Sequence, residues 1–149
     1  MGTLEASWTV DIEAPRERCF EIAAEVEQAP KWQGTLEDVE VLKRDADGRA
    51  RVVETVSDAM VKKVKATLRF SYDPPAGISW EQEEGEAKWL TGRWDFEQSG
   101  EGRTSATYGL RTDPGRMLGL LLRGPVEGKV KELLTKSAAE GLKEEAERA

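Results

Sequence analysis

Apolar and polar residues alternate without a slip from Leu4 to Ile12. Leu4, Ala6, Trp8, Val10 and Ile12 share one parity, and Glu5, Ser7, Thr9 and Asp11 the other. A strand with one dry face reads this way. Pro15 then suits the first turn of a helix whose apolar stripe is Cys19, Phe20, Ala23 and Ala24. Residues 25–32, interrupted by Pro30, leave room for one further turn. After them the period returns to two. Val39 and Val41, the turn Asp45-Ala46-Asp47-Gly48, and Val52, Val53 and Val56 predict a hairpin. A long strand follows, with Met60, Val64, Ala66, Leu68, Phe70 and Tyr72 on one face and Lys63, Lys65, Thr67, Arg69 and Ser71 on the other.

Asp73-Pro74-Pro75-Ala76-Gly77 is a turn by composition, and Ile78 and Trp80 point the next strand inward. Trp89 and Trp94 fall on opposite parities of the strand after it. Either one ring is exposed, or a bulge near Gly92 shifts the phase. Ala106, Tyr108 and Leu110 share a face of the last strand, which Pro114 and Gly115 close. An apolar stretch, residues 116–122, leads through a break at Gly124-Pro125 into a helix that runs to the C-terminus. Its apolar face, Val126, Val130, Leu133, Leu134, Ser137, Gly141 and Leu142, keeps helical spacing. The order is one strand, two short helices, about six strands joined by tight turns, and one long helix. That is an α+β arrangement, expected to form one domain over 1–149.

Composition narrows the chemistry. A net charge of −7 supplies no basic surface for nucleic acid, and no run approaches the roughly 20 apolar residues of a membrane span. The N-terminus has neither a basic start nor an apolar signal core, so a cytoplasmic protein is expected. Gly2 invites N-myristoylation, but Ala6 stands where that signal needs Ser or Thr. The single cysteine, Cys19, fits a reducing compartment and reads as a small core residue. There is no histidine. Ser-His-Asp and Cys-His catalysis and the usual zinc sites are thereby removed, and no metal or cofactor is expected.

Several motifs occur in a telling order: Val10-Asp11-Ile12-Glu13-Ala14-Pro15, the segment from Glu27 through Pro30 to Trp32, and Val39-Glu40-Val41-Leu42. Gly92-Arg93-Trp94-Asp95-Phe96, residues 104–110 and the amphipathic C-terminal helix complete the set. Together they resemble the START-like superfamily, the Bet v 1-like, SRPBCC or polyketide cyclase/dehydrase group, over essentially the whole chain. The resemblance implies a helix-grip fold. In it a curved antiparallel sheet of about six to seven strands wraps the long C-terminal helix, and the two short helices roof a cavity. It also implies a small hydrophobic ligand, such as a lipid, isoprenoid or polyketide, bound or carried between sheet and helix.

Five tryptophans suit such a cavity. The expected ligand-binding residues are Trp32, Leu36, Val64, Leu68, Phe70, Trp80, Trp94, Phe96, Tyr108, Leu118, Leu122 and Leu134, with Trp32 at the mouth. Ordinary core packing is the plain alternative for each ring. No catalytic residue is expected, although Tyr108 is able to donate a hydrogen bond to a bound carbonyl. Arg69 lies on the polar parity of its strand, the orientation of Arg93 depends on the possible bulge, and Lys62 sits near a strand end where its amine reaches water. Glu81, Glu83, Glu84 and Glu86 read as the wet face and turn of one strand, and Asp45 to Gly48 as a hairpin turn rather than a calcium loop. Residues 117–122 read as a flap over the cavity or as a contact surface.

Two other functions stay open, a polyketide aromatase/cyclase and a protein-interaction module. The resembling cyclases bring an arginine and a tyrosine into the pocket beside tryptophans. Here Leu36 stands where a polar ring is expected, and the long strand ends Phe70-Ser71-Tyr72 rather than in arginine. Binding is therefore expected over cyclisation.

Overall fold

A computed structural model describes residues 3–148, and Gly2 lies outside them. β1 (Leu4–Ile12) leads into α1 (Arg16–Ala24) and a 3₁₀ helix (Val26–Lys31). Six strands follow: β2 (Leu36–Arg44), β3 (Ala50–Asp58), β4 (Lys63–Asp73), β5 (Gly77–Gly85), β6 (Trp89–Gly100) and β7 (Arg103–Asp113). α2 (Gly115–Leu121) and the long α3 (Pro125–Glu147) end the chain. All strand pairings are antiparallel, in the order β1-β7-β6-β5-β4-β3-β2. Strands β2 to β7 are a meander of successive hairpins, and β1 completes the sheet by pairing with β7. With α3 laid along one face, this is the helix-grip fold.

The strand alternation translates directly into packing. Every odd position of β1 is exposed and every even one is half-buried or buried, down to Ile12 with no exposure at all. α3 rests chiefly on β1. Its buried side is made largely of small groups, Thr135, Ala138, Ala139, Gly141 and Ala146, with Val130 and Leu142 beside them, whereas Leu133 and Leu134 are only half-buried. Small side chains let the helix axis come close to the sheet. The hydroxyl of buried Thr135 donates back to the Lys131 carbonyl at 2.7 Å, which satisfies it without any partner on the sheet.

The far end of α3 is anchored through polar groups. Arg18 Nε donates to the Ala146 carbonyl at 2.7 Å and its Nη2 to the Arg148 carbonyl at 3.0 Å, which occupies acceptors left open at the helix end. The Glu13 N–H donates to Glu147 at 2.8 Å, and Lys143 bridges Glu147 and the Asp11 carbonyl. Those contacts, the Glu13 N–H first, hold the Glu147 carboxyl below its ordinary range.

Several local expectations change. The segment after α1 is a six-residue 3₁₀ helix that contains Pro30, longer than the single turn expected. Met60 is not a strand residue. It sits at φ 72° in the turn between β3 and β4 with its side chain 48% exposed, because the turn chemistry of Asp58, whose carboxylate accepts the Met60 N–H at 2.9 Å, overrides the apolar periodicity. Trp89 is partly exposed and Trp94 buried, and the β6–β7 register is unbroken from Trp89 to Gln98. No bulge is needed at Gly92.

Gly92 has a different role. It pairs with Trp80 across β5 and β6, and a Cβ there would stand 2.1 Å from the Trp80 ring. The bare backbone lets the indole lie over β6 and come within 5.5 Å of the Tyr108 ring on β7, two strands away. We expect Gly92→Ala to cost about 1–3 kcal/mol, the usual penalty for overfilling a core, and to change the near-UV circular dichroism of the aromatic cluster. Unchanged stability and spectrum would contradict this placement of Trp80.

Candidate functional site

Under the roof of short helices lies a cavity of about 190 Å³. The sheet supplies its floor: Val64, Leu68 and Phe70 from β4, Trp80 from β5, Trp94 from β6 and Tyr108 from β7. Trp32 follows the 3₁₀ helix and Leu36 opens β2, Leu118 and Leu122 come from the α2 segment, and Leu134 comes from α3. Of the residues expected on this wall, only Phe96 is elsewhere. It is 1% exposed, stacked on Trp94 at 5.6 Å and edge-on to Phe20 of α1 at 6.5 Å. Its parity is right, but two residues beyond Trp94 the strand has passed under α1.

The rings form a continuous chain. Trp32 is 6.3 Å from Trp94, Trp94 meets Tyr108 edge-on at 4.8 Å, Tyr108 is 5.5 Å from Trp80, and Trp80 stacks with Phe70 at 5.4 Å. Tilted and edge-on geometries at these separations are favourable for aromatic quadrupoles. The chain makes a stiff wall of flat surfaces.

Polar atoms are few on this wall. Gln33, Thr35, Thr55, Ser57 and Thr112 contribute them, and none was foreseen, because isolated neutral polar residues carry no periodic signal. Burial pushes the Tyr108 hydroxyl up to about 12, while a hydrogen bond with the Gln33 side chain pulls the other way. The phenol is therefore protonated at neutral pH. Trp32 Nε1 is buried and has no hydrogen-bond partner. An orphaned donor of that kind costs about 1–3 kcal/mol until something accepts from it.

Among the described residues that line the cavity there is no Asp, Glu, Lys, Arg or Cys. The charged candidates point away. Arg69 pairs with Glu83, Arg93 donates to Asp95 at 2.7 Å, and Lys62 pairs with Glu86, all on exposed faces. Cys19 is fully buried off the cavity, and burial pushes its thiol up despite a hydrogen bond with Thr104 that works in the other direction. α2 divides its roles: Leu118 faces the cavity, while Met117, Leu120 and Leu121 are exposed. Among the described residues no three His, Cys, Asp or Glu side chains gather to hold a metal ion, and no helix is long and apolar enough to cross a membrane.

Comparison with known proteins agrees with this architecture. A family model for polyketide cyclase/dehydrase and lipid transport matches residues 12–138. A START superfamily protein from Mycobacterium smegmatis superposes with a TM-score of 0.83 at 19% identity, over 98% of either chain. A protein from Thermus thermophilus does so at 0.83 and 26% identity, over 96% of this chain and 97% of that one. The Zhui aromatase/cyclase from a Streptomyces species superposes at 0.83 and 21% identity, over 99% of this chain and 95% of that one. No curated protein sequence matches the chain.

Proposed function

The chain belongs to the polyketide cyclase/dehydrase and lipid transport family, and from that premise we propose that it binds one small, uncharged, largely apolar molecule between sheet and α3. The observation that carries this reading is the wall itself: aromatic and aliphatic apart from a few neutral polar groups, with no charged side chain among the described residues. Transferring a flat apolar molecule from water onto such a surface is favourable by roughly 25 cal/mol per Å² buried. Enclosing a charge there is strongly unfavourable, since nothing on the wall would compensate it. Size sets a further bound. An apolar cavity of about 150 Å³ accepts benzene, so about 190 Å³ suits something nearer a fused bicycle.

Cyclisation is the second reading, and one observation favours it: Tyr108 is a proton-bearing group on the wall beside Trp80 and Trp94. It is also the only Asp, Glu, Cys, Tyr, Lys or Arg residue there among the described residues, and its raised pKa makes it a poor base at neutral pH. The binding reading is supported better.

The test is direct. The neutral dye 1-naphthylamine, itself a fused bicycle, should bind with a 1:1 limit and raise the melting temperature, by about 2.7 kcal/mol of added stability at a hundredfold excess over Kd. Trp32→Ala should weaken the dye by about 1–3 kcal/mol through lost contact area. Native mass spectrometry of the protein from its own host then identifies the occupant. Failure of the dye and of a panel of neutral lipids to bind would refute the reading. Turnover of a linear poly-β-ketone that is lost in Tyr108→Phe would establish the cyclase instead.

A further inference from the structure

We propose that the ligand carries a neutral oxygen acceptor, a ketone, ester or amide carbonyl or a hydroxyl, and that this oxygen is held by the indole N–H of Trp32. The inference rests on the cavity reading above and adds to it the chemistry that orients and selects the molecule.

Trp32 is fixed from behind. Its carbonyl oxygen and the Cε3 edge of its ring lie against Gly141 of α3, where a Cβ would stand 1.9 Å from the oxygen and 3.4 Å from Cε3. Nε1 is on the opposite edge of the indole. Trp94 stands 6.3 Å from the ring on one side, and the ring is part of the cavity wall. Held in this way, the side chain has no free swing to carry its N–H out to water, and Nε1 is buried without a partner. An acceptor has to be brought in.

The wall also says which acceptor. A carboxylate would be the strongest, but no cation lines the cavity among the described residues, so its second oxygen and its charge would be buried uncompensated. A carbonyl or hydroxyl on an otherwise apolar frame satisfies the donor at no such cost. The preference is therefore neutral oxygenated molecule over plain hydrocarbon, and both over carboxylate.

Three naphthalenes of nearly equal size separate these cases: 2-acetylnaphthalene, 2-ethylnaphthalene and 2-naphthoate, measured by calorimetry at pH 7 on the full chain and on Trp32→Phe. The ketone should bind the wild type about tenfold tighter than the hydrocarbon, and the carboxylate at least about tenfold weaker than the ketone. Trp32→Phe keeps an aromatic face and removes the donor. It should equalise ketone and hydrocarbon, because the contact area lost with the smaller ring weakens both alike. In ¹⁵N-edited spectra of the wild type, one of the five tryptophan indole N–H signals should move downfield with the ketone and not with the hydrocarbon, and this readout needs no variant. Equal affinity of ketone and hydrocarbon in the wild type, as a trapped water on Nε1 would produce, overturns the proposal while the cavity reading survives. So does a ketone preference that persists in Trp32→Phe. If none of the three binds, the cavity reading falls and takes the proposal with it.

Discussion

Gly141→Ala is expected to destabilise the protein by about 3 kcal/mol, the upper range for forcing extra volume into a packed core. The added Cβ would meet the Trp32 carbonyl oxygen at 1.9 Å. That neighbour is backbone, so no side-chain rotation relieves the clash, and either α3 or the end of the 3₁₀ helix has to move. In an exposed helix the same substitution works in the opposite direction, since alanine is favoured over glycine by roughly 0.5–1 kcal/mol. α3 contains its own control: a Cβ at Gly128 would have nothing within 4 Å. Gly128→Ala should therefore raise stability by roughly 0.5–1 kcal/mol. Denaturant unfolding of the two variants side by side reads the difference. Two shifts of the same sign would show that Gly141 is not a true point of contact.

A chain ended after Gly124 should fail to fold cooperatively. It loses Val130, Ala138, Ala139, Leu142 and Ala146, all at 5% exposure or less, and it uncovers the dry face of β1 that they protect. Each large side chain is worth about 1.5–3 kcal/mol on burial against a total of about 5–15 kcal/mol for a domain. The Arg18 and Lys143 bridges go with the helix as well. Circular dichroism followed through a thermal ramp decides the point. A sharp transition near that of the full chain would mean that the sheet stands without α3.

Much of this architecture was legible in the alternation, because a strand with one dry face writes its orientation into every second residue. β1 is the plainest case, and the wall residues Leu68, Phe70, Trp80 and Tyr108 follow by the same parity. α3 was legible only in outline. The expected face holds the buried Val130, Gly141 and Leu142, but it also counts Leu133 and Leu134, which are only half-buried, and omits the buried Thr135, Ala138 and Ala139. Small residues mark close approach, and a hydrophobicity pattern scores them low. Phe96 shows the complementary limit: parity tells which face a residue is on, but not which neighbour lies above it. The polar atoms at Gln33, Thr55 and Ser57 were invisible for a simpler reason. A lone neutral polar residue in a strand looks the same whether it meets a ligand or water.

The pairing of β1 with β7 also dictates timing. The hydroxyls of Thr9 and Thr107 lie 2.8 Å apart, yet 98 positions of chain separate them. A loop of that length has to close before the first strand has any neighbour in the sheet, and folds dominated by such distant pairings form in milliseconds to seconds rather than microseconds. On a ribosome adding about 5–20 residues per second, Trp8, Val10 and Ile12 wait on the order of 5–20 s for their strand partner and somewhat longer for α3. During that interval the hairpins from β2 onward are able to form, while β1 carries an uncovered apolar edge. The apolar side of β1 is therefore the part of this fold most exposed to aggregation and to chaperones during synthesis, and the docking of α3 ends that exposure.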